Sequence, residues 1–555
     1  MSRRLFSFNG GVHPEGHKTE SNATPIQPMP LLPRYVVPLR QHIGAPARPL
    51  VQAGDIVLRG QMIGAADGYV STAVHAPTSG RVVDVAPHAV PHPSGLFDLC
   101  VVIEADGEDR AMDFQPLDWR NLDPSALRNR IREMGLAGLG GAVFPAYIKL
   151  NPAGQTLHTL ILNGAECEPW ITCDDRLMRE RAGEIFQGMA VMAHCLGATT
   201  LLVGIEDNKP EALAAMTAAA PASVEVVAVP TCYPGGGGKQ LTYTLTGVET
   251  PSGGRSTDVG IQVFNVGTAY SLYRAVYLGE PLLSRVVTVT GHVAAPGNFE
   301  VRIGTPASDL LAAAGGALDG ATGELVGGPM MGFDLMDRAA PVTKSPNCLI
   351  VKNRALFPPP PAALPCIRCG ACARACPADL QPFEMYWFSR AKDFGKAQSY
   401  HLFDCIECGC CAYVCPSHIP LVDFFRFAKS EIWERERDKA SSDQARGRHE
   451  FKTFRLEREK QEKAEKFAKA AEKQKETATT AGAAADPDAE KKKAILQAAL
   501  ARAQQAKSGV TPKNTDNLSP AVEKQIAEID ARREQMGAVP AAPDPDPAPA
   551  KDTQP

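Results

Sequence analysis

Of the chain's 15 cysteines, nine lie between Cys366 and Cys415, and eight of these fall into two copies of one spacing. The copies are Cys366-x2-Cys369-x2-Cys372-x3-Cys376-Pro377 and Cys405-x2-Cys408-x2-Cys411-x3-Cys415-Pro416. Thiolates are soft ligands, and this run ending in proline is the bacterial pattern for a pair of [4Fe-4S] clusters. The first three cysteines of each run wrap one cube, while the fourth reaches the other. The spacing therefore predicts Cys366, Cys369, Cys372 and Cys415 on cluster 1, with Cys405, Cys408, Cys411 and Cys376 on cluster 2. Structural zinc, the competing use of thiolates, usually takes two separated Cys-x2-Cys knuckles. Cys410 falls outside the ligand spacing and reads as a buried spectator. Clusters move single electrons and do no substrate chemistry alone, so the rest of the chain should hold a donor or acceptor site.

Glycine loops are the next candidates. In Gly135-Leu-Ala-Gly138-Leu-Gly140-Gly141-Ala-Val-Phe144-Pro145-Ala-Tyr-Ile-Lys149, closely spaced glycines let backbone N–H groups approach a phosphate or a flat ring, and Lys149 adds a cation. The spacing is not Gly-x-Gly-x-x-Gly, and Pro234 before Gly235-Gly-Gly-Gly238-Lys239 with Gln240 after it excludes a Walker A loop. Taken singly, each glycine run reads as a turn. Leu160-Ile-Leu-Asn163-Gly-Ala-Glu166-Cys-Glu168-Pro169 reads as a strand ending in polar residues, where open α/β sheets bind ligands. Phe264-Asn265-Val266-Gly267-Thr268 is a second strand followed by an amide and a helix.

These residues need elements to position them, and composition divides the 555 residues accordingly. Residues 1–34 read as an irregular segment rich in Pro, Gly and His. Residues 35–115 carry short β-branched runs broken by Gly and Pro, an all-β pattern. Residues 116–284 alternate strand-like and helical stretches, which predicts an α/β domain with a largely parallel sheet. Short strands with glycine turns return over 285–350. The cysteine segment occupies 351–428, with a helix expected over Leu380–Phe403. The 429–555 tail reads as a solvated charged helix over Arg435–Glu476, then disorder from Thr477 apart from a short helix near Ala521–Met536. Lys+Arg 58 against Asp+Glu 62 leaves a net charge of -4, so nothing points to nucleic acid. No apolar run approaches the roughly 18 residues a spanning helix needs, and no secretory signal follows Met1. Ala76-Pro-Thr-Ser-Gly80-Arg-Val-Val resembles the barrel-sandwich of biotinyl and lipoyl carriers, yet no lysine stands between Lys18 and Lys149. That domain is expected to be structural. His13, His42, His75, His88 and His92 show no metal spacing.

Gly138-Leu-Gly-Gly-Ala-Val-Phe-Pro with Lys149, then Asn163 to Pro169, then Asn265, resembles the flavin-carrying NADH-oxidising subunit of respiratory complex I. About residues 5–425 are similar to the RnfC component of the ion-translocating Rnf (Rsx) electron-transport complex. That likeness adds Gly10-Gly-Val-His13-Pro14 with Lys18, Gly204-Ile-Glu-Asp-Asn208-Lys209-Pro210, Tyr233-Pro234 and Pro296-Gly297-Asn298. One position departs: Gly238 stands where an acidic residue usually precedes the Lys-Gln pair. The resemblance implies a multidomain α/β protein. Its parts would be a barrel-sandwich β domain, an α/β FMN/NADH-binding domain, a β-grasp-like module over 285–350, a helical dicluster ferredoxin domain and the tail. It implies Gly138, Gly140 and Gly141 against FMN, Lys149 near its phosphate or the nucleotide, and Asn163, Glu166 and Asn265 around the flavin. Phe144 would stack on the nicotinamide and Glu168 would contact NADH. The cofactors implied are FMN, NAD(H) and two [4Fe-4S] clusters. The partners implied are the membrane subunits and the ferredoxin-like subunit of the complex, at the cytoplasmic face of the inner membrane. A related soluble cobalamin reductase and a flavin-free electron relay are the alternative readings.

Overall fold

The computed structural model of the chain describes residues 3–480 and 489–508. Contacts divide it into a large unit up to Ser441 and a second unit from Ser442.

The first domain of the large unit is all β. Strands Arg34–Pro38, Phe97–Ala105, Gly80–Ala89 and Ile56–Val57 form one antiparallel sheet. Arg48–Pro49, Met62–Ala65 and Val74–His75 form a second. Tyr35, Val37, Val101 and Ile103 fill one core, while Val36, Cys100 and Val102 fill another on the opposite face. Alternate residues of the same strands thus serve both faces, which is why these runs read as continuously apolar.

The α/β domain is built on four parallel strands: β1 (Thr159–Gly164), β2 (Thr200–Glu206), β3 (Val224–Val229) and β4 (Ile261–Asn265), in spatial order β3-β2-β1-β4. Its helices are α1 (Cys173–Glu180), α2 (Ala182–Leu196), α3 (Pro210–Ala219), α4 (Gly238–Thr246) and α5 (Val266–Tyr277). Leu160 and Leu162 pack with Ile185 and Leu272 on one face, and Ile161 packs with Leu241 and Leu245 on the other. A parallel sheet covered on both sides places every strand's carboxyl end at one edge, and that edge carries the site.

The third module is a mixed sheet with β5 (Ser284–Gly291), β6 (Gly297–Arg302), β7 (Ala321–Val326) and β8 (Cys348–Asn353), ordered β6-β5-β8-β7. Helix α6 (Ala307–Ala313) lays Leu310 and Leu311 on Val287, Val289 and Val351. The segment expected to be irregular, 1–34, contributes Gln27–Pro28 as an edge strand parallel to β6 and pairs Val12 with Tyr233. Its lack of apolar periodicity hid both pairings, because each is short and donates backbone only.

The cysteine segment is helical, with the expected 380–403 helix split into α7 (Pro382–Arg390) and α8 (Phe394–Ser399). Lys392 adopts φ +58 between them, and the Asp393 side chain accepts from Lys396 N to start the second. Helix α9 runs from Leu421 to Thr480, so it begins before the anticipated boundary at 428. Leu421, Val422, Phe425, Ala428 and Ile432 are buried with the cysteine domain, and the described side chains beyond them are exposed. The composition changes near Trp433 while the backbone does not. Helix α10 (Ala489–Ser508) occupies part of the stretch expected to be disordered. Its Ala, Lys, Leu and Gln are strong helix formers, and it contains neither Pro nor Gly. The short helix expected over Ala521–Met536 lies outside the described residues.

Where α2 crosses α5, a Cβ on Gly188 would sit 1.8 Å from Ala269 O, whereas a Cβ on Gly183 would meet nothing within 4 Å. Gly188→Ala should therefore cost about 1–3 kcal/mol by forcing the helices apart. Gly183→Ala should be neutral to slightly stabilising, by up to about 1 kcal/mol. Thermal melting followed by circular dichroism checks both. Equal effects would show that the crossing does not depend on the missing methyl.

Candidate redox site

The eight cysteines of the two runs line two separate cavities. One is lined by Cys366, Cys369, Cys372 and Cys415; the other by Cys405, Cys408, Cys411 and Cys376. Each cavity thus gathers three cysteines of one run and the fourth of the other. Each loop bends the same way at positions 39 residues apart in sequence. Arg368 (φ +55), Gly370 (+73) and Asp379 (+52) match Glu407 (+57), Gly409 (+83) and His418 (+51). Left-handed non-glycine residues cost of order 1–3 kcal/mol each and persist where the surroundings demand them. Here they curl the chain around a small volume. Arg368 N and Leu380 N each donate to a cysteine sulfur, Cys366 Sγ and Cys376 Sγ, both at 3.4 Å. Every described cysteine is free of disulfide bonding. Burial pushes the Cys405 thiol up to about 11 and raises Cys372 and Cys376. Thiols held so far from water ionise only against a cation, and metal coordination supplies it. The donor set fits two [4Fe-4S] clusters.

The second part of the site is the carboxyl edge of the parallel sheet. Asn163 at the end of β1 and Asn265 at the end of β4 are register partners. The Asn163 amide donates to Gly236 O at 2.7 Å and accepts from Ala165 N at 3.1 Å, tying the glycine run 235–238 to its own strand. Asn265 caps α5 through Gly267 N and donates to Asp174 at 2.6 Å. Glu166 (φ +49) accepts from Asp174 N and Asp175 N, so its carboxylate caps α1. The loop after β1 is wound around Lys18, whose Nζ donates to the carbonyls of Glu166, Glu168 and Ile171 at 2.7–2.9 Å. Glu206 and Lys209 form a buried pair at 3.1 Å beside it, and Glu206 Oε1 has no partner among the described residues. Burial, reinforced by Lys209, holds the Lys18 ammonium below the lysine range, and burial raises Glu166 and Glu206.

The glycine loop lies across this edge. Gly138 N donates to Phe144 O at 2.9 Å, Leu139 N to Thr268 Oγ1 at 3.0 Å, and Leu139 O accepts from Arg285. Between these ties, the N–H groups of Gly140, Gly141, Ala142 and Val143 have no acceptor among the described residues. A Cβ on Gly140 would stand 3.0 Å from the Asn265 Cβ, and Gly141 (φ +103) faces open space. Unspent donors on an open, glycine-lined loop beside a buried polar floor fit the phosphate and carbonyl groups of a flavin nucleotide.

The structure brings Gly138, Gly140, Gly141, Asn163, Glu166 and Asn265 together. Phe144 is half-buried and belongs to none of the apolar cores. Two residues are committed elsewhere. Lys149 Nζ lies 4.4 Å over the Phe264 ring and donates to Val263 O, and burial lowers it to about 8. Glu168 accepts from Met330 N and Met331 N of the third module at 2.7 and 3.1 Å. Sequence reasoning missed Asp174, Arg285 and the buried Glu206. Only Glu206 carried a signal, an acid closing an apolar strand.

The cluster 2 loop sits against this edge. Tyr233 OH donates to Cys408 O at 2.7 Å, Gln240 Nε2 donates to Pro377 O at 3.3 Å, and a Cβ on Gly409 would stand 2.6 Å from Met330 O. Cluster 1 opens outward: Cys369 is exposed and the neighbouring Ile367 is 69% exposed.

Four family models match. They are the Nuo51 FMN-binding domain over 131–274, the RnfC barrel sandwich hybrid domain over 6–108, the SLBB domain over 286–334 and the 4Fe-4S dicluster domain over 365–419. The C component of the ion-translocating oxidoreductase complex from Citrobacter koseri is 43% identical over 98% of this chain and 76% of its own length. Its counterpart from Haemophilus influenzae is 45% identical over 82% of this chain and 70% of its own. Among solved structures, an NAD+-reducing [NiFe]-hydrogenase in its air-oxidised state matches with a TM-score of 0.39 and 21% identity, covering 50% of this chain and 54% of that one.

Cys415 lines the cavity of the first run and Cys376 that of the second, so Cys415→Ala should remove the cluster of the first loop, and Cys376→Ala that of the second. Each variant should keep about half the iron of the parent. Iron analysis with paramagnetic resonance of the reduced protein reads this. If Cys415→Ala instead removed the second loop's signal, the exchange would be wrong.

Proposed function

The chain belongs to the RnfC family, the C components of ion-translocating oxidoreductase complexes, and from that premise we propose that it takes electrons from NADH at the strand-end site and delivers them through cluster 2, then cluster 1. It is an electron-transfer subunit of a multi-subunit oxidoreductase, with FMN and two [4Fe-4S] clusters as its cofactors. It works as part of a hetero-oligomer, and no helix among the described residues is long and apolar enough to cross a membrane. Bound at the strand ends, FMN supplies the conversion between a hydride donor and one-electron carriers.

The chain's own residues then divide the work. The free N–H groups of residues 140–143 bind the flavin nucleotide, and Asn163 and Asn265 fix the two loops that flank it. Glu166 holds the start of α1, and with Asp174 it sets the charge of the pocket floor. Phe144, outside the apolar cores, stacks on the nicotinamide. Glu168 and Lys149 act from behind the pocket: one pins the 330–331 loop, the other braces β4. The β-grasp-like reading of 285–350 is part of the proposal, supported by α6 lying across the mixed sheet. So are the membrane subunits and ferredoxin-like subunit as partners, and the cytoplasmic face of the inner membrane as the location.

The carrying observation is the unequal surroundings of the two cysteine-lined cavities. Tyr233, Gln240 and Met330 back the loops that line the second cavity, at Cys408 O, Pro377 O and Gly409, while the first opens outward beside the exposed Cys369.

An anaerobic visible spectrum with and without NADH tests the route. Flavin bleaching with loss of iron–sulfur absorbance is expected. In Cys408→Ala, flavin should still bleach while cluster 1 is reduced much more slowly. In Cys369→Ala, cluster 2 should still be reduced. Undiminished reduction of cluster 1 in Cys408→Ala would overturn the order of carriers. Intact clusters unresponsive to NADH after added FMN would leave only a relay.

A further inference from the structure

We propose that Tyr233 is a positioning residue for cluster 2, locking that cluster's loop to the flavin side and raising its reduction potential. The inference rests on the reading of the second cysteine set as a [4Fe-4S] site.

Tyr233 is 3% exposed and lies in the loop between β3 and α4. Its backbone is clamped on both sides, with Val12 N donating to Tyr233 O at 2.8 Å and Tyr233 N donating to Val12 O at 2.9 Å. Its hydroxyl donates at 2.7 Å to the carbonyl of Cys408, a cluster ligand. That same Tyr233 carbonyl accepts from the Cys410 thiol, at 3.9 Å. One residue therefore meets the cluster loop at two points, and it does so inside an apolar nest of Val12, Ala375, Cys408 and Cys410.

The internal repeat supplies a comparison within the molecule. The residue equivalent to Cys408 in the first loop is Cys369, whose carbonyl accepts from Arg374 at 3.2 Å in an exposed contact. The residue equivalent to Cys410 is Ala371, which has no donor to offer. The two loops share their backbone bends and differ in what holds them. Water and salt screen the first contact, and the second lies where a hydrogen bond polarises its acceptor most strongly. The partial positive charge of a hydroxyl hydrogen fixed in a dry wall beside a ligating cysteine favours, through space, the reduced and more negative state of the cluster. Cys410, expected to be a spectator, belongs to the same clamp.

Tyr233→Phe keeps the ring and its packing but removes the donor. Potentiometric titration followed by paramagnetic resonance should show cluster 2, identified as the signal that survives Cys415→Ala, shifted to lower potential. The expected size is a several-fold change in its reduced-to-oxidised ratio at fixed potential, with full iron content and the other cluster unmoved. Cys410→Ala should shift the same cluster in the same direction by less. Neither cluster moving, both moving together, or iron lost in step with the shift would each overturn the assignment. Absence of clusters from the unsubstituted protein would instead refute the underlying reading, so the two failures are distinguishable.

Discussion

A single ammonium group organises the strand-end site. The loop after β1 contains two left-handed non-glycine residues, Glu166 at φ +49 and Trp170 at φ +71, a conformation that costs roughly 1–2 kcal/mol per residue. It turns its carbonyls inward, and the three hydrogens of Lys18 Nζ take up those of Glu166, Glu168 and Ile171. Removing that cation would leave three carbonyls facing one another in a buried space. With it, Glu166 is aimed at the start of α1 and Glu168 at the third module. The charge is balanced by Glu166 and Glu206, so the cluster of ions is tolerable only as a set.

Lys18 arrives from the segment with the least regular structure, and the same segment reaches the rest of the redox machinery. Phe6 N donates to Thr244 O at the end of α4, Gly11 N donates to Ala375 O in the cluster loop, and Val12 pairs with Tyr233. A Cβ on Gly10 would collide with Cys376 O at 2.6 Å, so only glycine lets the strap lie on the ligand loop there. His17 stacks on Trp170 with ring centroids 4.0 Å apart, and Gln27–Pro28 extends the mixed sheet. A strap of this kind gains little from its own secondary structure. Its order comes from the domains it joins, which in turn are held at fixed separation by it.

The grouping of the eight cysteines was legible in their spacing, because residues that surround one small volume lie close in sequence, and the two cavities gather the same groups. The parallel sheet was legible for a related reason: Leu160-Ile-Leu and Leu201-Leu-Val are apolar at every position, as strands covered on both faces must be. Lys149 and Glu168 were harder. Their residue types suit a ligand contact, yet whether a cation meets a nucleotide or Val263 O depends on a fold of the side chain that spacing does not encode. Asp174 and Arg285 gave no signal, since each joins the site through a partner more than 90 residues away: Asn265 for the first, Leu139 for the second. The start of α9 was misjudged because charge composition shifts at Trp433, twelve residues after the helix begins.

The two cysteine loops are close to equivalent in backbone and unequal in surroundings, and that inequality is what a relay requires. Two clusters in identical environments would share an electron without preferring either end. Each cavity draws cysteines from both runs, which makes the pair one packed unit. The difference must therefore come from outside the repeat. It comes from Tyr233, Gln240 and Met330 on one side and from open surface at Cys369 and Ile367 on the other. A duplicated motif thus becomes asymmetric through the domain it is packed against, with one loop backed by the carboxyl edge of the parallel sheet and the other open at Cys369.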